Sequence, residues 1–439
     1  MVEMSPHGSE SSFGSSLTEN QWISRKVSKQ ETNKWTHLPQ DILEQIMKRL
    51  CLTDYLTMRA ICSSWRSTVT NAIANKYCHP LPELPLVVFI SHEQTFFSLK
   101  NERGYCPKSS LFDSTSIFCH GSIEGWMILS NYNEDNSLSF TFFNPVTTGS
   151  VSVPPPLYFP FNTQIQDMKL SMGKMVVSST PDGYDSDCFL AGLCNDFCHI
   201  AFYRLFDESW NMIEIEKDSV FHFLDIEIMG SKLYVRTNRP LNSMLVYDLK
   251  DSTNGSPKHK VLSVLPEKST PQISRTIDSQ RHISGHAFCR LAKHEKLKQL
   301  FLIYVICSAV YKPEDVNYMN MVTKFVNSPD ITGVEVFKLD MNKEPIAWTK
   351  CESLDDNVVF VSYCKSMVMS RAAFNSTHKS IIRENSVYFA LSFECLTDPC
   401  QDIQFGIRHL TDSSSTKYFS VEKSDHSDVP YPFWFVPSI

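Results

Sequence analysis

The sequence predicts an α+β multidomain chain: a small three-helix module followed by a mainly antiparallel all-β domain, most consistent with a β-propeller, with a β-sandwich as the alternative. Three observations carry this expectation. Apolar residues recur at helical spacing only between residues 35 and 78. From residue 86 onward, short apolar or alternating runs bounded by turn residues replace them. And two stretches about 135 residues apart, 202–215 and 336–354, share a pattern of strand, charged turn and Trp at the start of the next strand (Trp210 and Trp348).

The chain has 439 residues, enough for a compact module and a larger domain. With 42% hydrophobic and 20% charged residues, most of it is expected to fold. A formal charge of −7 gives no global basic field for nucleic acid. The 14 cysteines are scattered and too dilute for a disulfide scaffold. Residues 1–34 are polar and Ser-rich, read as a disordered tail, and they lack the apolar core of a secretion signal. Reduced thiols in the nucleus and/or cytoplasm are expected, which leaves the sequons at Asn254 and Asn375 without meaning. The longest apolar run, 300–310, suits a buried strand and is too short to span a bilayer.

Each helix has its own signals. Pro39 suits a first turn with Asp41 at the positive end of the dipole, and Ile42, Leu43, Ile46, Met47 and Leu50 follow at helical spacing. Thr53 is the expected N-cap of a second helix carrying Tyr55, Leu56 and Met58. A third is expected from about Ile61, with Trp65 and Val69 on the same side. Three prolines in 79–85 end the helices and mark a linker, expected to hold the module away from the domain that follows.

Strands are expected at 86–91, 125–131, 139–145, 173–179, 198–205, 231–237, 244–249, 300–306, 333–340, 357–362 and 386–391. Polar insertions are expected near 250–285, 311–330 and 411–430. The aromatic tail, residues 431–439, is read as the last strand, closing a ring against the first blade.

No nucleotide-binding, zinc-protease or serine-hydrolase signature occurs. Cys188, Cys194, Cys198 and His199 are the best metal candidate by sequence, but their spacing is loose for zinc and buried thiols are the favoured reading. Cys119 and His120 are adjacent on a strand and so point to opposite faces. The basic run 290–299 reads as a solvated turn beside the 300–306 strand.

The helical stretch carries more apolar side chains than one internal face can take, and three helices alone bury little surface. It resembles an F-box. The resemblance rests on Leu38, Pro39 and Asp41, on the hydrophobic run from Ile46 to Leu50, on Asp54 with Leu56, and on Arg59, Ile61, Cys62, Trp65 and Arg66. Leu50-Cys51-Leu52 stands where many members have Leu-Pro. Residues 125–156, 337–362 and 434–439 resemble the kelch-like β domain of uncharacterised function that follows F-boxes in many plant proteins.

The resemblance implies a non-catalytic, substrate-recognition adaptor of an SCF-type cullin–RING ubiquitin ligase, without a cofactor or metal. Leu38, Pro39, Leu43, Ile46, Leu50, Leu56, Arg59, Ile61, Cys62, Trp65 and Arg66 would meet a Skp-family adaptor and, through it, cullin. The β domain would hold an unknown substrate protein, and neither nucleic acid nor membrane is an expected partner. The alternatives are a propeller-type small-molecule receptor or enzyme with a regulatory F-box, and a non-ligase F-box scaffold.

Overall fold

In the computed structural model the helical periodicity ends where the alternation begins, and the two textures form two bodies joined by a short extended segment. The structure describes residues 38–74, 80–89, 95–100, 103–105, 117–132, 138–154, 172–181, 187–194, 197–214, 222–237, 243–251, 257, 259–264, 276–278, 281–311, 330–344, 346–394, 401–411, 415–422 and 432–438. The N-terminal tail and nearly all of the insertion expected at 311–330 lie outside them.

Helices α1 (Gln40–Met47), α2 (Leu52–Ile61) and α3 (Ser63–Ala74) pack around Leu43, Met47, Tyr55, Met58, Val69 and Ala72. Two boundaries differ from expectation. The cap of α2 is Cys51, not Thr53: its amide and thiol both donate to the Asp54 carboxylate. Ile61 ends α2 instead of starting α3. Cys62 takes an extended backbone there, and its sulfur accepts from the Trp65 amide at 3.5 Å, so that α3 begins anew one residue later.

All eleven strands expected from the alternation are present, within blades of four or more strands. Blade I joins β1 (Leu86–Phe89), β2 (Thr95–Ser98) and β3 (Arg103–Tyr105) to the C-terminal β26 (Phe433–Phe435). Blade II is β4 (Ile117–Ile123), β5 (Trp126–Tyr132), β6 (Leu138–Phe143) and β7 (Ser150–Val153). Blade III is β8 (Met172–Val177), β9 (Phe189–Cys194), β10 (His199–Arg204) and β11 (Asn211–Glu214). Blade IV is β12 (Phe223–Met229), β13 (Lys232–Thr237), β14 (Ser243–Asp248) and β15 (His259–Val264). Short β16 (Thr276–Asp278) leads into blade V: β17 (Arg281–His294), β18 (Gln299–Tyr311), β19 (Asp330–Asp340) and β20 (Ala347–Lys350).

Blade VI contains β21 (Asn357–Ser362), β22 (Met367–Ser370), β23 (Ser386–Glu394), β24 (Gln401–His409) and β25 (Ser415–Glu422), with the short helix α4 (Ser376–Ile381) between β22 and β23. A single parallel pair, Lys293 with Met367, fuses blades V and VI into one ten-stranded sheet. Four separate four-stranded sheets and this double one make six blades among the described residues. Two of the expected insertions therefore contain blade strands: β15, β16 and the start of β17 fall within 250–285, and β25 within 411–430.

The inner strands close a ring. β26 lies beside β4, β4 beside β8, β8 beside β12, β12 beside β17, β17 beside β22 and β21, and β21 beside β26. A sandwich would show two facing sheets; here a separate apolar core fills each of the six gaps between neighbouring blades. This is the propeller, with the tail strand pairing antiparallel to β1 as expected. Trp434 seals the join. Its ring meets Phe360 and Phe405, and its indole N–H donates to the Val361 carbonyl at 2.9 Å. On the other side its carbonyl accepts from Ser122 Oγ at 3.0 Å. The Glu124–Gly125 turn of blade II has positive φ at both residues (35° and 88°), the geometry of a tight two-residue hairpin. A Cβ at Gly125 would stand 2.7 Å from the Ser438 carbonyl, so the closing tail also needs that glycine.

Candidate functional site

The helical module divides its apolar residues between two destinations. On α1, Leu43 and Met47 are spaced i, i+4 and point into the module; Leu43 is 1% exposed. Ile42 and Ile46 share the neighbouring face, and Ile42 is 44% exposed. Ile61 is 53% exposed. Pro39, Arg59 and Arg66 are exposed as well, and Leu38, Leu50, Cys62 and Trp65 are half-buried at the rim of the module core. The Arg66 guanidinium donates to the Arg59 carbonyl at 3.0 Å, tying α3 to α2. The structure thus leaves most of the expected docking residues accessible and withdraws Leu43, which serves the module's own core. The side chain of Leu56 lies outside the described residues. Ile42 was read only as part of the helical stripe; Leu43 and Met47 share the same offset of four as Ile42 and Ile46, so no local pattern separated the outward pair from the inward one.

The module is attached to the propeller through the linker. Leu81 forms a parallel bridge with Cys51 and donates its amide to the Leu50 carbonyl at 2.8 Å. Leu84 is buried in the core between blades VI and I, against residues such as Phe374 and Ile382. Glu83 lies 3.4 Å from the ring of His378 on α4. The expectation that a proline-rich linker holds the module away is corrected here: Leu84 finds an apolar slot, and an extended chain can pair on both sides. Burial, then the hydrogen bond to Asp54, pushes the Cys51 thiol up to about 12, so it is a neutral thiol at physiological pH. Cys51, Glu83 and His378 are all buried, and one potential ligand atom of each lies within 4.8 Å of the others.

A second concentration of polar groups lines the propeller axis. Between most neighbouring blades the inner strands converge without a ladder of their own, so their backbone edges need other partners. Asp225 of β12 accepts from the Leu291 amide of β17 at 2.6 Å and pairs with Lys174 of β8 at 3.1 Å. Lys293 reaches the carbonyls of Ile228 (3.0 Å) and Val177 (3.3 Å) and pairs with Glu295 at 2.9 Å. His120 of β4 bridges Gly173 O (2.9 Å) and Ser130 Oγ (2.6 Å), and burial lowers its pKa. The run 290–299 is therefore only partly a solvated turn: Arg290 and Lys293 are buried on the inner strand, while Leu297 and Lys298 are exposed. Lys174 and Asp225 each stand within a largely apolar strand, but nothing local shows that they meet.

The family model "F-box domain" matches residues 35–76, and the family model "KIB1-4 beta-propeller" matches residues 96–420. The chain is an F-box member of the KIB1-4 beta-propeller family. An F-box/kelch-repeat protein of Arabidopsis thaliana is 30% identical to it over 140 residues, covering 30% of this chain and 34% of that protein. The chain thus spans about a third of that relative's length. Among solved structures, a chain of a nidogen/laminin complex aligns at 9% identity with a TM-score of 0.30, covering 58% of this chain and 89% of that one. A mutant of AofleA from Arthrobotrys oligospora aligns at 8% identity with a TM-score of 0.26, covering 73% and 88%. Both likenesses are too slight to bear on function.

The chain therefore carries an F-box followed by a propeller. Of the remaining chemical candidates of this F-box protein, Cys188, Cys194 and Cys119 pack in the cores between blades, while Cys198 and His199 are half-buried. Cys188 donates to the Ser179 carbonyl and Cys194 contacts the Met172 sulfur, and among the described residues they form no metal-holding group with Cys198 and His199. Cys119 donates to the Gly121 carbonyl, away from the partners of His120, and burial raises its pKa well above the usual thiol value. Among the described residues, no helix is long and apolar enough to cross a membrane.

Proposed function

We propose that this chain is the substrate-recognition subunit of an SCF-type cullin–RING ubiquitin ligase. The F-box docks on a Skp-family adaptor and through it on cullin, while the propeller holds a substrate protein. One observation carries the reading. Ile42 and Ile61 stand in solvent on a module fastened to the linker at Leu50 and Cys51, so the chain leaves these two large apolar side chains uncovered. The docking residues are Leu38, Pro39, Ile42, Ile46, Leu50, Leu56, Arg59, Ile61, Cys62, Trp65 and Arg66, with Leu43 supporting them from inside.

The mechanism is placement. The protein itself makes and breaks no bonds; it raises the effective concentration of a substrate lysine near a ubiquitin-charged enzyme. A module bridged to the propeller through Leu81 and Glu83 suits this task, because a fixed angle keeps the lysine within reach. The site of action is the nucleus and/or the cytoplasm, where a ligase and reduced thiols coexist. The test is affinity purification of the full chain with mass spectrometry. Adaptor and cullin are expected together, and both should be lost from the Leu38→Ala/Pro39→Ala variant while the propeller stays folded. Recovery of adaptor without cullin would make the chain a non-ligase scaffold instead.

A further inference from the structure

Cys51, Glu83 and His378 come from three separate parts of the chain: the start of an F-box helix, the linker, and the short helix inserted in blade VI. They meet where the two domains meet. Three features distinguish the meeting from incidental packing. First, the residue types are a sulfur, an oxygen and a nitrogen donor of the kind zinc takes. Second, the spacing is nearly right. Zinc bonds of about 2.0–2.3 Å place tetrahedral ligands about 3.3–3.8 Å apart, and the His378 ring already lies 3.4 Å from Glu83. Third, His378 is 0% exposed, yet neither ring nitrogen makes a hydrogen bond. Buried imidazoles ordinarily have partners, and an orphaned one facing a carboxylate and a thiol calls for an explanation.

The surroundings hold these groups in place. Asn375 caps α4 by accepting from the His378 amide at 2.8 Å, and the Phe374 ring packs edge-on to the imidazole. The Leu81 bridge keeps Cys51 beside the linker. Asp54 Oδ2, 3.1 Å from Cys51 Sγ, stands ready as a neighbouring carboxylate. A nucleophilic role for the thiol is disfavoured, since it is buried and held in its protonated form.

We propose that Cys51, Glu83 and His378 bind a zinc ion, with Asp54 or a water molecule as fourth ligand, and that this ion pins the F-box to the propeller. On binding, the thiol gives up its proton to solvent and the thiolate enters the coordination sphere. The ion would supply the imidazole's missing partner and hold three chain segments at a fixed mutual orientation.

The experiment is metal analysis of the purified full chain, with cobalt(II) as the spectroscopic probe. About one zinc per chain is expected. Cobalt loading should give a thiolate-to-cobalt charge-transfer band, and Cys51→Ser should lose both the band and one equivalent of metal. His378→Gln and Glu83→Gln should each weaken binding at least tenfold, the low end for losing a ligand or its support. Should His378→Gln fail to fold, the cobalt spectrum of the unmodified chain and its Cys51→Ser variant still decide. A folded chain that takes up neither metal, or one whose uptake is the same in Cys51→Ser, overturns the proposal. None of these readouts depends on adaptor binding.

Discussion

The two domains solve the burial problem in opposite ways. The propeller is self-sufficient: each blade's faces are covered by its neighbours, and the last strand returns to the first sheet so that the ring has no open end. The F-box has a core of six buried residues and leaves Ile42 and Ile61 outside it. A domain that closes on itself can be stable alone. The F-box does not close on itself, and among the described residues it is tied to the rest of the chain at Leu50 and Cys51, through the linker. The contrast explains why the same kind of residue, a large aliphatic or aromatic one, is structural in one half of the chain and available for contact in the other.

The sharpest way to break the propeller's self-sufficiency is at its seam. Trp434→Ala removes the indole wedged against Phe360 and Phe405 and should cost about 3–5 kcal/mol, read as a lower denaturation midpoint of the full chain. The F-box, which has its own core, should respond less. The axis comes next. Lys174→Met leaves Asp225 without its cation in a buried site, and breaking such a pair costs about 3 kcal/mol or more. The expected readout is again chemical denaturation; an unchanged midpoint would mean that the charges are not structurally coupled.

The comparison is sharpened further within the F-box. Leu43→Ala should destabilise the module by about 2–4 kcal/mol, because that side chain is fully enclosed. Ile42→Ala and Ile61→Ala should change stability by no more than about 0.5 kcal/mol while weakening adaptor binding about tenfold, as central apolar contacts do. Circular dichroism melts and binding titrations separate the two classes.

The smallest effect concerns pH. His120 is buried neutral in the axis, with its folded pKa below the unfolded value of about 6.5. Above that pH both states are neutral and stability is flat. As pH falls below it, the unfolded chain takes up a proton that the folded one resists, so stability falls by at most about 1.4 kcal/mol per pH unit from this group. Denaturation midpoints measured between pH 7 and 5 in the native chain and in His120→Gln should diverge accordingly.

Much of this was legible residue by residue. The short apolar runs at 357–362 and 231–237 identify strands because both faces of such a strand are buried, each against a different neighbouring blade. The order Leu38-Pro39 to Trp65-Arg66 identified the F-box. What was hidden is what depends on distant partners. Leu43 and Ile42 are equally apolar neighbours, and only the placement of Tyr55 and Val69 decides which one turns inward. Residues 290–299 look like a solvated basic run until Lys293 is seen to reach carbonyls of two other blades. The proline-rich linker reads as a spacer until Leu84 is found in a core.

The sequence by itself determined the two textures, the approximate strands, the F-box motif and the role of the aromatic tail, because each rests on periodicity or on a local run of residues. Only the tertiary structure decided the number of blades, the charged axis and the junction of Cys51, Glu83 and His378. Those depend on which side chains meet across tens to hundreds of residues, and such meetings are set by the closure of the whole ring, which no local pattern encodes.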